Sequence, residues 1–166
     1  YLNYSFRLMQ FPIGVFGVAV ATVTFPIVSA YAAKKEMGQV LSTFTSSLKL
    51  VFFLTIPSAL FLAVTSQPVI SVLFQHGRFN FLDTQATSQA LIFYCIGLFA
   101  YSSVRLTAST FYSMVDTKTP VKTSAVAVCV NIILNLILMH PLGYRGLALA
   151  ASIASMTNLF LLLMIL

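Results

Sequence analysis

The sequence predicts an all-α fold, a polytopic transmembrane helix bundle, and three observations support this prediction. Of 166 residues, 59% are hydrophobic and only 7% are charged, whereas soluble domains carry about 25% charged residues. The few charges cluster between long apolar runs. Those runs show no polar stripe at the helical period, which a surface helix of a soluble bundle would carry.

The five apolar runs are taken as membrane spans. A bilayer core of about 30 Å requires about 20 predominantly apolar residues in a helix. The predicted spans are about 8–33, 50–65, 84–112, 121–139 and 146–166, with a short interfacial segment at about 68–76. Together they make a single partial transmembrane domain over 1–166. Because the chain starts at Tyr1 and stops inside an apolar run, we expect it to be part of a longer protein.

The connections between the spans carry helix-ending and helix-capping residues. Gly77 is expected to stop the interfacial helix, and Gly143 to end the fourth span. Asp83 is placed to cap the third span, while Thr119 and Pro120 are typical of an N-cap and a first helical turn. The loops therefore support the division into five spans.

Small and polar residues inside the spans predict helix packing. Close packing is expected at Gly14, Gly17, Ala21, Ser152 and Ser155. Asn131 and Asn135 are four residues apart on one face, so we expect them to form hydrogen bonds between helices. Cys95 and Cys129 are expected to be small buried hydrophobes, and the Phe and Tyr residues to face lipid or form interfacial belts.

The Lys and Arg residues of the short loops predict the orientation. The first and third loops hold Lys34, Lys35, Lys118 and Lys122, whereas the second and fourth hold only Arg78 and Arg145. Because cytoplasmic loops carry the excess of positive charge, the first and third loops are predicted to be cytoplasmic. The start of the chain and the loop at 67–83 are then outside.

Several function classes are disfavoured. Glu36, Asp83 and Asp116 lie in loops, and the sequence has no nucleophile motif, clustered metal ligands or phosphate-binding glycine loop. We therefore predict that the protein is not an enzyme and uses no metal or cofactor. Nine basic against three acidic residues give a net charge of +6, too sparse for the dense basic face that binds nucleic acid.

Three cations near or inside the spans are the candidate site: Arg7, Lys49 and Arg105. An unneutralised charge at membrane depth costs at least a few kcal/mol. Gln10 follows Arg7 by about one turn, and Pro12 predicts a bend of the kind found beside cavities. The planar guanidinium matches phosphate oxygens, so Arg7 predicts an anionic ligand. For Lys49 and Arg105 two interpretations stay open, because each side chain can instead extend to the membrane interface.

An ordered set of motifs resembles one family. The run RLMQFPIGVFGVAVATV at 7–23, closed by Pro26, resembles the eighth membrane helix of the MurJ (MviN) lipid II flippases. Further matching pieces follow in the same order at 48–50, 56–59, 73–79, 83–84, 111–113, 116–121, 131–135, 141–143 and 146–149. The resemblance covers nearly the whole chain.

The resemblance implies a fold and a function. It implies helices eight to twelve of a transporter in the multidrug, oligosaccharidyl-lipid and polysaccharide exporter superfamily, hence most of the C-terminal lobe of a two-lobe protein. The N-terminal lobe, supplied by the same chain, and membrane lipids would be its partners. The implied location is the bacterial inner membrane, in a multi-pass topology. The implied cargo is the undecaprenyl-pyrophosphate-linked peptidoglycan precursor, moved from the cytoplasmic to the periplasmic leaflet by alternating access for cell wall synthesis.

The resemblance also implies roles for individual residues. Arg7 falls on the family's cavity arginine, which binds pyrophosphate, and Lys49 stands where members often have arginine. Phe6 departs from the pattern, because many members have Asp there. Two alternatives stay open: an exporter of another polysaccharide lipid or a drug, and a non-transporting scaffold for cell-wall enzymes. A drug exporter is expected to show an acidic cavity residue, and a scaffold would tolerate neutralisation of Arg7.

Overall fold

The computed structural model describes residues 1–166 as helices joined by short turns. In chain order the elements are α1 (Leu2–Pro12), a π-helical turn (Ile13–Val18), α2 (Ala19–Ala33), α3 (Met37–Val64), α4 (Ser66–Phe74), α5 (Phe81–Ser113), α6 (Lys118–Leu142) and α7 (Tyr144–Ile165). The chain forms no strand, so the predicted all-α fold is confirmed.

Five helical stretches are long and apolar enough to cross a membrane. The first is the continuous run Leu2–Ala33, and the others are α3, α5, α6 and α7. The predicted start of the second span at 50 is wrong, because α3 begins at Met37. A search for charge-free runs stops at Lys49, although one lysine can remain in a helix when its long side chain reaches polar surroundings.

The bounds of the short helix α4 and the N-cap of α5 differ from those predicted. α4 covers Ser66–Phe74 rather than 68–76, so it ends before Gly77. Asn80, not Asp83, is the N-cap of α5. Its side chain accepts from the backbone N–H of Asp83 at 3.0 Å, while the Asp83 carboxylate accepts from the backbone N–H of Asn80 at 2.9 Å. This reciprocal capping box fixes where α5 begins.

The ends of α6 show one wrong and one confirmed prediction. The N-cap position is Thr117 rather than Thr119. Asp116 satisfies the first turn, because its carboxylate accepts from the backbone N–H of Lys118 at 3.0 Å and from the Thr119 hydroxyl at 2.6 Å. The bond from Thr119 lowers the pKa of the Asp116 carboxyl below its usual range. Gly143 ends α6 with φ of +56°, as predicted.

The main core surrounds α5, which packs against α7, α3 and the first span. Its buried hydrophobic members are Met9, Ile13, Ile70, Ala90, Leu91, Tyr94, Cys95, Leu98 and Ala148. A Cβ atom added at Gly97 would lie 2.7 Å from the Ser152 hydroxyl, and one added at Gly17 would lie 3.1 Å from Ser102. Small residues therefore allow α5 to approach both neighbours closely.

Four of the five packing predictions for small residues are confirmed. Ser152 and Gly17 lie at close helix contacts, and Ala21 and Ser155 are buried, so these predictions are confirmed. Gly14 is the exception, since nothing lies within 4 Å of a Cβ atom added there. Gly14 lies on the side of the first span that faces away from this bundle.

Helix α6 is the least buried span, and two predictions placed on it are wrong. Asn135 donates to Asn131 at 2.8 Å within α6 instead of bonding to another helix. Cys129 is exposed, whereas Cys95 is buried as expected. Both differences arise because only 6% of the most apolar stretch of α6 is buried inside the bundle.

Candidate anion-binding site

Arg7 lies on an exposed polar stripe of the first span. Asn3, Arg7, Gln10 and Gly14 are all exposed, and their spacing of four, three and four residues places them on one helix face. The opposite face of α1 is buried through three residues, Ser5, Met9 and Pro12. The stripe therefore points away from the core of this bundle.

Contacts with α5 hold the stripe in this orientation. The Ser5 hydroxyl donates to the backbone carbonyl of Thr87 at 2.7 Å, and Met9 is fully buried in the core. The Phe6 ring meets the Tyr94 ring edge-on, with centroids 5.7 Å apart. These contacts fix the rotation of α1, and they show that Phe6 serves packing.

The Arg7 guanidinium keeps its charge available. It lines a small open pocket of about 150 Å³ with Asn3 and Tyr4. The carboxylates of Asp83 and Asp116 are engaged elsewhere, in the helix caps. A permanently charged guanidinium beside amide groups is suited to binding a phosphate or pyrophosphate.

Arg105 lies in a separate groove between α2 and the second half of α5. The groove has a volume of about 450 Å³ and is lined by Val18, Ala21, Thr22, Phe25, Arg105, Ala108, Ser109 and Tyr112. Arg105 is exposed there. Ser113, the last residue of α5, is eight positions away, which corresponds to about 12 Å along a helix.

Lys49 is exposed in the middle of α3, whereas a second span that starts at about 50 would place it at the beginning of the helix. Twelve residues separate it from Met37, or about 18 Å along the helix. Ser42, Thr45 and Ser46 are also exposed, and their spacing places them on the same face as Lys49. Lys49 therefore terminates a polar stripe in the half of α3 that is predicted to be cytoplasmic.

The structure does not bring the three cations into one pocket. Arg7 and Arg105 line different pockets. The Arg105 groove begins at Val18, eleven residues past Arg7, or about 16 Å along the span. The Arg7 pocket and the Arg105 groove are therefore separate sites in this structure.

Sequence reasoning missed an aromatic cluster beside Arg7. The rings of Tyr4, Phe74 and Phe79 contact one another, with centroid distances of 4.9, 5.5 and 6.4 Å. The expectation of lipid-facing or belt residues did not include these contacts between rings. One feature of the sequence could have indicated this cluster. Phe74 and Phe79 lie on either side of Gly77, and a glycine between two helices indicates a tight turn that brings its flanking residues together.

The structure contains no cluster of metal-binding side chains. No group of three or more His, Cys, Asp or Glu side chains is positioned to hold an ion. The polar groups of the site are instead cationic and amide groups, which select anions.

A family model described as Lipid II flippase MurJ matches residues 1–166. The chain belongs to the lipid II flippase MurJ family. A probable lipid II flippase MurJ of Vibrio cholerae is 38% identical over 162 residues, which cover 98% of this chain and 31% of that protein. A probable lipid II flippase MurJ of Haemophilus influenzae is 34% identical and covers 98% of this chain and 33% of its own length.

A solved structure supports the same membership. The lipid II flippase MurJ in an inward closed conformation superimposes with a TM-score of 0.89 at 34% identity, covering 99% of this chain and 34% of that one. The chain thus spans about a third of the length of its MurJ relatives. MurJ membership and the five spans make it a multi-pass protein of the bacterial inner membrane.

Proposed function

We propose that the protein to which this chain belongs is a flippase for lipid II, the undecaprenyl-pyrophosphate-linked peptidoglycan precursor. It moves this lipid from the cytoplasmic to the periplasmic leaflet by alternating access and so supplies cell wall synthesis. The observation that carries the proposal is the exposed Arg7 guanidinium on a polar stripe inside the first span. MurJ membership supports the identity of the cargo.

Arg7 addresses the main physical barrier to flipping. A pyrophosphate loses its hydration when it enters the apolar depth of a membrane, and this loss is costly unless protein groups replace the water. The planar Arg7 guanidinium offers several donors to phosphate oxygens, and the Asn3 and Gln10 amides lie one turn to either side. The stripe thus stabilises the pyrophosphate while the polyprenyl chain remains in lipid.

Lys49 and Arg105 bind the pyrophosphate at an earlier stage in this proposal. Both lie toward the predicted cytoplasmic side, and both are exposed. Because Arg7 and Arg105 line different pockets, we assign Arg7 to the outer end of the pathway. The inner pair lowers the cost of entry, and the lipid then passes to Arg7.

The first span also contains a turn at which the helix can bend. Its π-helical turn covers Ile13–Val18 and follows Pro12, which lies inside the helix. Gly14 and Gly17 lie within this turn. π-helical turns and prolines are recognised sites of helix bending, so this turn is where we expect the first span to bend between inward and outward states.

The test is complementation in bacteria depleted of their own lipid II flippase. The full-length protein is expressed intact, as Arg7→Ala, as Arg7→Lys, or as Arg145→Ala, a control arginine in the first turn of α7 at the predicted outer side. Loss of charged hydrogen bonds is expected to lower precursor exposure at the outer leaflet about tenfold or more in Arg7→Ala. Arg7→Lys should recover part of the exposure, because it keeps the charge but loses the planar fork.

Each outcome separates the candidate functions when protein levels are equal. Rescue by the intact protein and by Arg145→Ala, with failure of Arg7→Ala, supports the flippase and the role of Arg7. Rescue by Arg7→Ala with unchanged precursor exposure keeps the flippase but removes Arg7 from its mechanism. Failure of the intact protein to rescue contradicts lipid II as the cargo and favours an exporter of another lipid.

A further inference from the structure

A second pocket lies at the predicted outer end of the bundle. Its lining includes Tyr4, Phe74, His76, Arg78, Phe79 and Asp83, and its volume is about 430 Å³. The pocket joins three elements: α1, the end of α4 with its following loop, and the first turn of α5. Its size is within the range of ligand-binding pockets, about 300–1,000 Å³.

Aromatic rings form one wall of this outer pocket. Tyr4 contacts Phe74 at 4.9 Å and meets Phe79 edge-on at 5.5 Å between ring centroids. Tyr4 nevertheless remains 41% exposed. The three rings converge on one concavity. A concave aromatic wall provides flat faces of negative potential for the polarised C–H groups of a ligand ring.

The loop that carries the polar wall is held in place. The Gln75 side-chain oxygen accepts from the Ser71 hydroxyl at 2.6 Å and from the fully buried Thr84 hydroxyl at 3.3 Å. Gln75 thus joins the end of α4 to the start of α5. Arg78 follows Gly77, whose φ of +64° turns the loop. The pocket is therefore preformed, which lowers the entropic cost of binding.

Polar groups complete the pocket with donors and an acceptor. Arg78 and His76 are exposed and also line the pocket. The Asp83 carboxylate accepts from the Tyr1 hydroxyl at 2.8 Å. Aromatic faces next to hydroxyl-binding groups fit a sugar ring, and a guanidinium fits a carboxylate. This combination matches a sugar that carries an acidic peptide.

Tyr4 connects the outer pocket to the proposed pyrophosphate site. It lines the outer pocket and also the small pocket that contains Arg7. Tyr4 and Arg7 are three residues apart on α1, or about 4.5 Å along the helix. In a lipid-linked sugar the first sugar is bonded directly to the pyrophosphate. A pyrophosphate at Arg7 therefore places that sugar beside Tyr4.

We propose that the outer pocket is a binding subsite for the glycopeptide headgroup of the precursor. The wall of Tyr4, Phe74 and Phe79 receives the sugar ring, and Arg78 binds a carboxylate of the attached peptide. This assignment rests on the proposed flippase function, and it adds recognition of the headgroup to recognition of the pyrophosphate.

The experiment compares two lipids on the purified full-length protein. One is undecaprenyl pyrophosphate, and the other is the same lipid carrying the disaccharide and peptide. Phe79→Leu and Arg78→Gln are each expected to weaken binding of the headgroup-bearing lipid about tenfold, the effect of one good aromatic or charged contact. Binding of undecaprenyl pyrophosphate should stay unchanged. Phe81→Leu is the matched control, because Phe81 is 57% exposed at the same helix start but does not line the pocket.

Two further variants separate the subsite from the proposed function. Arg7→Gln should weaken binding of both lipids, and Arg78→Lys should recover part of the headgroup affinity. If Arg7→Gln weakens both lipids but Phe79→Leu and Arg78→Gln affect both lipids equally, or neither, the subsite is wrong while the pyrophosphate site stands. If Arg7→Gln changes neither affinity, or the intact protein binds neither lipid, the pyrophosphate site fails and the subsite falls with it.

Discussion

Helices α5 and α6 are both membrane spans, but they are built in opposite ways. In α5, 61% of the most apolar stretch is buried inside the bundle, and this span is the least apolar of the five. In α6 only 6% is buried, and this span is the most apolar. Lipid tails are as apolar as leucine, so apolarity alone gives no preference for the interior. High hydropathy therefore marks the surface of this bundle, and small polar residues mark its centre.

The hydroxyl groups of α5 show how the centre tolerates polarity. Thr107 donates to the backbone carbonyl of Ser103 at 2.7 Å, and Thr110 donates to that of Leu106 at 3.0 Å. The hydroxyls of Thr107 and Thr110 are thus satisfied within their own helix. These side chains remain small enough for neighbouring helices to approach, whereas larger apolar side chains would hold them apart.

The contact between Gly97 in α5 and Ser152 in α7 tests the packing of the buried span. Gly97→Val places new atoms against the backbone and side chain of Ser152, where even a Cβ atom would lie 2.7 Å from the hydroxyl. Overpacking of this kind costs about 1–3 kcal/mol or more. Ala125→Val on the exposed face of α6 is the matched control. Size-exclusion profiles of the full-length protein after a heating series should show early loss for Gly97→Val only. Equal profiles would contradict the packing of α5 against α7.

A leucine pair tests the same contrast by removal of side-chain volume. Leu98 in α5 is fully buried, and Leu136 in α6 is 65% exposed. Leu98→Ala leaves a cavity and should destabilise the protein by about 2–5 kcal/mol, whereas Leu136→Ala should change stability by less than about 0.5 kcal/mol. Thermal inactivation in detergent measures both variants. A larger loss for Leu136→Ala would mean that another part of the full-length protein covers α6.

The smallest expected effect distinguishes two glycines of the π-helical turn. Gly14→Ala should be tolerated or should stabilise the helix by up to about 1 kcal/mol, because alanine favours helix and nothing lies near its Cβ position. Gly17→Ala should be less stable than Gly14→Ala, since its Cβ atom meets Ser102 at 3.1 Å. The same heating series ranks the two. The reverse order would show that Gly14, not Gly17, lies at a helix contact.

The sequence predicted the spans better than their ends and contacts. Long apolar runs identify spans because the bilayer imposes a minimum apolar length. The start of α3 was missed because the helix continues through Lys49 into a stretch of serine and threonine. The N-caps of α5 and α6 were missed because Asp83 and Thr119 lie inside the first turn. Several residues near a helix start can cap it, and only local backbone geometry decides which one does.

The candidate site was predicted in its chemistry but not in its arrangement. Arg7 stood out because charge inside an apolar run is costly, and the structure places it on an exposed stripe. Sequence spacing alone could not show that Arg105 has a groove of its own or that Lys49 lies at mid-span. The outer pocket depends on contacts between residues such as Tyr4 and Phe79. Such long-range contacts arise from tertiary packing and leave no periodic signal.

The π-helical turn at Ile13–Val18 also sets the angular relation between the two ends of the first span. A π turn holds one more residue than an α turn, and one residue corresponds to about 100° of rotation around a helix. Thr24, beyond the turn, shares a hydrogen bond of 2.8 Å with Ser47 of α3, whereas Arg7 lies before it. Conversion of this turn to regular α-helix, with α2 held by α3, would rotate Arg7 around the axis of the span. A local change of helix type would thereby turn the cation relative to α2, and it would have to break the contacts of Ser5 and Phe6 that hold α1 against α5.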